Sequence, residues 1–195
     1  MRGKHLVIGM AVLAAGCQSP TQPSRNLEAG APAGVVAGAE GPPPGTNGGG
    51  VFRFADTSDV SFNFNAVGTG NGGAAGHFFQ SFVFGGELIE FRGRVTCVSV
   101  DEAAGRAWVG GVVTENNSTH PQFTTERTQV GRDIWFRVLD GGEGANAQEP
   151  DRTTIMGFEG DRGIITSAEY CAAQLWVDGN VATHPVTQGN IQVRP

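Results

Sequence analysis

From Val51 onward, apolar and polar residues alternate with a period of two, which is typical of β-strands that bury one face. Phe52 and Phe54 flank an arginine, and the same alternation continues around Phe62. Further strands are predicted at residues 78–84, 88–100, 106–114, 122–130, 133–139, 153–158, 174–177 and 190–193. One helical segment is predicted, at residues 167–173. The pattern therefore predicts an all-β domain of about eight to ten short antiparallel strands.

Two architectures fit this set of strands, a single antiparallel β-barrel and a two-layer β-sandwich. The hairpin formed by residues 88–100 and 106–115 is long and would need strong coiling, which favours the barrel. The composition agrees with an all-β domain rich in turns, because the chain contains 31 Gly and 12 Phe. The 145 residues from position 51 to position 195 are enough for one domain with a substantial core.

The N-terminal residues have the pattern of an export signal. Arg2 and Lys4 precede an apolar run over residues 6–15. As a helix this run would span about 15 Å, which is too short to cross a bilayer and typical of a secretory signal peptide. It leads into Leu-Ala-Ala-Gly-Cys, ending at Cys17, which resembles the lipobox of bacterial lipoproteins. An ordinary cleaved signal peptide with an incidental cysteine is the alternative.

The lipobox resemblance implies cleavage before Cys17, a diacylglyceryl group on its thiol and an acylated amino end. Leucine is commoner in the lipobox at the position that Ala14 occupies here. The residue after the cysteine is Gln18, as in the Gram-negative lipoproteins that are sorted to the outer membrane, which this chain resembles in that respect. We therefore expect an exported protein whose partner is a bacterial membrane, reached through several acyl chains, which anchor stably. The expected order is a signal peptide at 1–16, the lipidated cysteine with a flexible Pro/Gly/Ala linker at 17–50, and the all-β domain at 51–195.

The net charge restricts the partners further. The chain carries −6, and loss of Arg2 and Lys4 with the signal peptide would leave −8. An acidic protein lacks the basic face that nucleic acid requires, and it is not attracted to anionic lipid headgroups. We expect no nucleic acid and no cofactor, and the sequence leaves a protein or small-molecule partner undefined.

Three cysteines are present, which is an odd number for an exported protein. If Cys17 carries lipid, Cys97 and Cys171 remain as a pair, and a disulfide is expected in an oxidising compartment. The alternation places Cys97 on the inward face of its strand with Val95, so the bridge would run across the core. Two separate buried thiols are the alternative.

An acidic loop is the candidate metal site. Asp140, Glu143, Glu149 and Asp151 lie within twelve residues that also contain several glycines. Hard cations such as Ca²⁺ bind several oxygen ligands of this kind, although the spacing does not match an EF-hand. The alternative is a solvated loop in which Asp and Gly form turns.

The other candidate motifs have simpler interpretations. His77, His120 and His184 belong to no H-E-x-x-H motif, and the chain has no G-x-S-x-G motif, so we predict loop or surface histidines. Residues 68–73 match G-x-G-x-x-G, but a strand is predicted after them where a dinucleotide site needs a helix. We therefore predict a hairpin loop there.

Four motifs resemble, in their order, the pattern of uncharacterised secreted bacterial β domains. They are G-x-V-T-C at 93–97, G-G-V-V at 110–113, the acidic glycine loop at 140–144 with a later Pro-Asp, and G-N-x-x-V at 189–193. The resemblance covers about residues 55–195. It implies a single β domain and no particular activity.

Three functions remain open from the sequence. The first is a non-enzymatic domain that binds a ligand or partner in the barrel interior or at its loop end. The second is a structural or surface-interaction lipoprotein without a pocket. The third is a hydrolase with a site near the acidic loop and a histidine. A hollow interior would favour the first, and a filled core would favour the second.

Overall fold

The computed structural model describes residues 42–54, 58–143, 147, 149–177 and 180–195. They form nine strands: β1 Gly45–Phe54, β2 Ser58–Gly68, β3 Ala74–Phe84, β4 Glu87–Asp101, β5 Arg106–Asn116, β6 Asp133–Leu139, β7 Arg152–Thr153, β8 Gly157–Phe158 and β9 His184–Arg194. The helix α1 spans Ser167–Ala173, where the sequence predicts it. Within the described residues, short 3₁₀ turns lie at Pro121–Phe123, Glu126–Thr128 and Asp161–Gly163.

The strands close into an antiparallel barrel, which confirms the predicted class and favours the barrel over the sandwich. The hydrogen-bonded order is β5-β4-β3-β2-β1-β9-β7-β6, and β6 pairs with β5 to close the sheet. The C-terminal strand β9 joins β1 to β7 and so completes the ring. Gly189 has a φ of 110° in this strand, and a Cβ there would lie 2.0 Å from the Gly49 carbonyl oxygen. Glycine is required at this close approach of two strands.

Phenylalanine side chains fill the barrel interior. The buried core includes Phe52, Phe62, Phe64, Phe78, Phe91, Phe136 and Phe158. Gly93 makes room for one of these rings, because a Cβ there would lie 1.8 Å from Phe78 Cζ. The space left near Phe64 and Phe136 amounts to about 10 Å³, which is hardly the size of one water molecule. The interior is therefore a packed core and not the ligand cavity that the sequence left open.

The strand β1 begins at Gly45, six residues before the predicted domain start at Val51. Its first half reads Gly-Thr-Asn-Gly-Gly-Gly and has no large apolar residue, so the sequence placed it in the linker. The backbone of this half nevertheless pairs with β2 on one side and β9 on the other. Ladder hydrogen bonds on both edges replace the side-chain burial that defines most strands.

Three predicted strands differ in the structure. Residues 122–130 form two 3₁₀ turns, because the Asn116 side chain donates to the carbonyls of Phe123 and Thr128 at 2.8 and 2.9 Å. Residues 174–177 are irregular. The predicted strand 153–158 is interrupted: its two ends belong to β7 and β8, and Thr154–Met156 lie between them in neither strand.

Cys97 lies on the outer face of the barrel, which corrects the predicted inward orientation. A bulge shifts the pairing of β4 with β5 so that Val95 faces Gly111 while Cys97 faces Gly110. The extra residue, Thr96, reverses the inward and outward alternation for the rest of the strand. The predicted disulfide is present, with a Cys97–Cys171 S–S distance of 2.10 Å, but it joins α1 to the outside of the barrel.

Candidate functional site

The helix α1 is attached to the outer face of β4, β5 and β6 by contacts at both ends. Thr166 and Glu169 form a capping box at its N-terminus. The Asp133 carboxylate accepts hydrogen bonds from the backbone N–H and the hydroxyl of Ser167 at 2.7 and 2.5 Å. Toward the other end, the disulfide fixes Cys171. A short helix of this kind is stable because tertiary contacts hold it, not because of its own propensity.

Every tryptophan and the single tyrosine of the chain lie at this attachment. Trp108, Trp135 and Tyr170 form a buried cluster outside the barrel, and Trp176 packs against it. The rings of Trp135 and Tyr170 stack with centroids 5.5 Å apart, and Trp108 meets Trp176 edge-on at 5.8 Å. The indole N–H of Trp108 donates to the Leu175 carbonyl at 2.9 Å. These side chains combine apolar rings with polar tips, and Trp176 likewise donates its indole N–H to Asn180 Oδ1 at 2.9 Å.

Arg137 is buried within the same cluster. It projects outward from β6, and 5% of its surface is exposed. The guanidinium lies 5.3 Å from the Trp176 ring, and Arg106 lies 4.5 Å from that ring as well. Arg137 Nη2 donates to the Val181 carbonyl at 3.0 Å, while its Nε is buried without a hydrogen-bond partner among the described residues. The cluster therefore holds a desolvated positive charge.

A cleft of about 330 Å³ opens beside this charge. Its walls are Trp135, Arg137, Thr154, Ile155, Met156, Gly157, Ile164 and Tyr170, and its rim is Asp161, Arg162, Leu175 and Ala182. Small-molecule sites of about 300–1,000 Å³ are typically lined in this way, by apolar side chains with a few polar groups.

The break between β7 and β8 produces the cleft. In the segment Thr154–Met156, the Thr154 N–H still donates to the Arg137 carbonyl of β6 at 3.2 Å, but the other backbone groups lie outside the ladder and need other partners. Gln80, buried inside the barrel, donates to the Thr154 carbonyl at 3.3 Å and accepts from the Met156 N–H at 3.1 Å. The Thr154 hydroxyl accepts from the Arg137 N–H at 3.2 Å. The displaced segment is thereby held open as one wall of the cleft.

Tyr170 supplies a hydroxyl at the base of the cleft. Burial raises the pKa of Tyr170 to about 12, and the nearby charge of Arg137 lowers it to a smaller extent. The phenol is therefore protonated at neutral pH and can donate a hydrogen bond. The cleft thus combines aromatic and aliphatic walls with one guanidinium and one hydroxyl.

The aspartates of the predicted metal site have a different role. Asp151 is 9% exposed, and its two carboxylate oxygens accept from the backbone N–H groups of Gly141 and Ile191 at 2.9 and 2.6 Å. Asp140 accepts from the Val193 N–H at 3.0 Å. Both carboxylates therefore join the acidic loop to β9 and do not converge on a common point for a cation.

The two glutamates of that prediction are exposed. Glu143 accepts from the side-chain amides of Gln192 and Asn190 at 2.8 and 3.3 Å, and these hydrogen bonds lower its pKa. Glu149 is exposed at the loop surface. Within the part of the chain that the structure describes, no three His, Cys, Asp or Glu side chains come close enough to hold a metal ion. The four carboxylates do not gather around one point in this structure, and cation binding by the acidic loop stays a prediction.

The histidines are separated from one another. His77 is exposed on β3, and His184 stacks on Phe52 at 5.5 Å, where burial lowers its pKa. His120 Nε2 lies 4.0 Å from Glu87 Oε2, which is the one His–carboxylate contact within that distance among the described residues. This pair lies outside the cleft.

The remaining predictions have mixed outcomes. Gly68 ends β2, and residues 69–73 form the hairpin loop to β3, as predicted. Cys17 and the signal peptide lie outside the described residues. Among the described residues, the structure contains no helix of the length and hydropathy that a membrane span requires.

Sequence patterns did not predict the cleft, although a signal for it exists. Trp108 and Trp135 occupy outward positions on paired strands, between residues whose side chains face the core. Large aromatic side chains at outward positions indicate that another element covers them. The break in the ladder at 154–156, by contrast, has no local signature.

Comparisons with protein-family models, with curated proteins and with solved structures give no significant match to this chain. What the cleft binds has therefore to be inferred from its own residues and their surroundings.

Proposed function

We propose that the chain is a bacterial lipoprotein, anchored to a membrane of the cell envelope through lipid on Cys17, whose barrel is a non-enzymatic binding domain. The binding site is the outer cleft between β6, the segment 154–157 and α1. The outer membrane is the expected location in a Gram-negative organism. The lipid, and not the acidic surface of the domain, attaches the protein.

The observation that carries this proposal is the concentration of Trp, Tyr and buried Arg at one open cleft. The chain has three Trp and one Tyr. Trp135 and Tyr170 line the cleft together with Arg137, and Trp108 and Trp176 belong to the same cluster. Trp, Tyr and Arg are enriched among the residues that dominate the binding energy of protein–protein interfaces. The barrel itself needs none of them, because its core consists of Phe and aliphatic residues.

A structural lipoprotein without a ligand is the second candidate. The filled interior supports it, since the barrel encloses about 10 Å³ of free space near Phe64. The closed sheet leaves few free strand edges for interaction, which is a common way of keeping a β protein monomeric. The hydrolase hypothesis has weaker support, because the one His–carboxylate contact within 4.0 Å among the described residues, His120–Glu87, involves no residue of the acidic loop.

Metabolic labelling tests the anchor. A palmitate analogue is expected to label the wild-type protein and not the variant Cys17→Ser, because that thiol is the proposed attachment site. Cys97→Ser in the same cells is the matched control and is expected to retain the label. Equal labelling of wild type and Cys17→Ser would contradict the anchor.

A fragment screen by NMR tests the binding site. Bound fragments are expected to shift the indole signal of Trp135 and the ring signals of Tyr170, which face the cleft. Leu175→Trp places a large side chain at the cleft rim and should abolish these shifts. Val130→Trp, at a position 65% exposed outside the cleft, should not. If fragments shift residues elsewhere and leave Trp135 unchanged, the structural role is favoured instead.

A further inference from the structure

The positive charge of Arg137 has no counter-ion in the described part of the chain. The ion pairs there involve Arg53, Arg92, Arg127, Arg132 and His120, and none includes Arg137. A buried cation is strongly disfavoured unless an anion or a full set of acceptors compensates it. Of the five N–H groups of the guanidinium, one donates to the Val181 carbonyl and another contacts the Tyr170 hydroxyl.

The surroundings of Arg137 add positive charge. The Arg106 guanidinium lies 4.5 Å from the same Trp176 ring, and Arg162 lies at the cleft rim. The acid of the rim, Asp161, is already engaged, because its carboxylate accepts from Arg127 Nη1 at 2.9 Å and from the Phe158 N–H at 2.8 Å. The protein as a whole is acidic, at −6, so this local excess of cations is unusual for the chain.

The face of Trp176 compensates part of the Arg137 charge through a cation–π contact. A ring face offers no hydrogen-bond acceptor in the plane of the guanidinium, so the N–H groups that point toward the cleft keep their capacity to donate. The hydroxyl of Tyr170 accepts from Arg137 and keeps its own proton, so it adds a second donor beside them. Two donors on one side of an apolar cleft are complementary to a carboxylate.

We infer that the cleft binds a small organic anion, whose carboxylate pairs with Arg137 and whose apolar body packs against Trp135 and Met156. This inference rests on the proposed binding function and specifies the chemical class of the ligand. The guanidinium, the Tyr170 hydroxyl and the exposed Arg162 hold the acidic group. The aromatic and aliphatic walls hold the remainder of the molecule, and the volume limits it to a small compound.

Matched pairs of compounds test this inference on the intact protein. A panel of aromatic and aliphatic carboxylates, each with its neutral primary amide, is titrated while the indole signal of Trp135 is followed by NMR. The members of a pair have nearly the same shape and differ in charge. The acids are expected to bind roughly 10- to 100-fold more tightly than their amides, as charge-assisted hydrogen bonds require.

Variants identify the residue responsible. Arg137→Gln should remove the preference for acids and leave the affinity for amides nearly unchanged, and Arg137→Lys should retain part of the preference because it keeps the charge. Arg94→Gln, at an exposed position on the outer face of β4, removes the same charge elsewhere and should have no effect. If Arg137→Gln does not fold, Arg162→Gln at the exposed rim is expected to weaken the acids alone.

The outcomes distinguish the anion inference from the proposed binding function. Equal binding of acids and amides at Trp135 would overturn the anion inference and leave the binding site intact. A preference for acids that survives both Arg137→Gln and Arg162→Gln would also overturn it. If no compound of either kind shifts Trp135 or Tyr170, the proposed function fails together with the inference.

Discussion

Asp151 shows how a single buried carboxylate can hold two distant parts of a chain together. Its oxygens accept one backbone hydrogen bond from the acidic loop and one from β9. Burial raises the pKa of Asp151, and the charges of Asp140 and Glu143 raise it further, against the lowering effect of the two backbone donors. The carboxylate therefore holds the acidic loop against β9, and its burial costs desolvation free energy.

Replacing Asp151 by Asn is expected to destabilise the fold by about 1–3 kcal/mol at neutral pH, because the new NH₂ group faces a buried backbone N–H that has lost its acceptor. Urea unfolding measures the change. Asp59→Asn, in an exposed ion pair with Arg53, should change stability by less than about 1 kcal/mol. Equal effects of the two substitutions would contradict the role of Asp151.

The same residue predicts a pH dependence. Because its folded pKa lies above the unfolded value of about 3.9, the unfolded state loses its proton first as the pH rises. The Asp151 contribution to stability is therefore largest below about pH 4, falls as the pH rises to the folded pKa, and is constant above it. Unfolding curves at several pH values should show this fall in the wild type, and the difference between wild type and Asp151→Asn should change over the same window.

At the scale of elements, the barrel and α1 depend on each other unequally. The barrel core contains no residue of α1, whereas α1 contacts β4, β5 and β6 on their outer face. Gly110 makes room for α1 on the outer face of β5, because a Cβ there would lie 2.7 Å from both Cys97 Sγ and Ser167 Cβ. The helix is thus an addition to a complete barrel, and it carries one wall of the cleft.

Removing the disulfide should release this helix before the barrel unfolds. The double variant Cys97→Ser/Cys171→Ser opens a loop that spans 74 residues and is expected to lose about 2–5 kcal/mol of stability. Amide hydrogen exchange should show lower protection in α1 than in β2 and β3, and reduced wild type is the matched control. Peptide mapping without reductant should find the two cysteines joined in the exported protein. Free thiols at both positions there would contradict a structural bridge.

At the scale of the whole molecule, the C-terminal strand closes the barrel. β9 pairs with β1 along its length and with β7 at two residues, so it covers two edges at once. The acidic loop is attached to the same strand through Asp140 and Asp151. Closure removes free edges, which would otherwise pair with other chains.

Truncation tests this role of β9. A chain ending at Thr183 should aggregate, because the edges of β1 and β7 become exposed and the core loses Ile191. Light scattering and near-UV circular dichroism measure the effect. The matched control lacks residues 1–41 instead and should scatter light no more than the full chain and keep a native spectrum. A soluble, folded chain without β9 would show that closure is dispensable.

The sequence by itself determined the features that depend on local pattern. The alternation of Ile134, Phe136 and Val138 with outward residues sets β6, and the predicted helix at 167–173 coincides with α1. The all-β class follows from the same period of two, which any half-buried strand imposes on its residues. The partnership of Cys97 with Cys171 follows from the number of cysteines left once Cys17 is assigned to lipid.

Only the tertiary structure decided the features that depend on contacts between distant segments. A single bulge at Thr96 turned Cys97 from the core to the outer face, and pairing on both edges made a strand of the glycine-rich start of β1. The filled interior depends on how the Phe rings of several strands interlock, which no single strand reveals. The cleft arises where Gln80, on one strand, holds the backbone of another segment away from the ladder. Such long-range hydrogen bonds and close approaches have no counterpart in local periodicity, and for this reason the candidate site became visible only in the folded molecule.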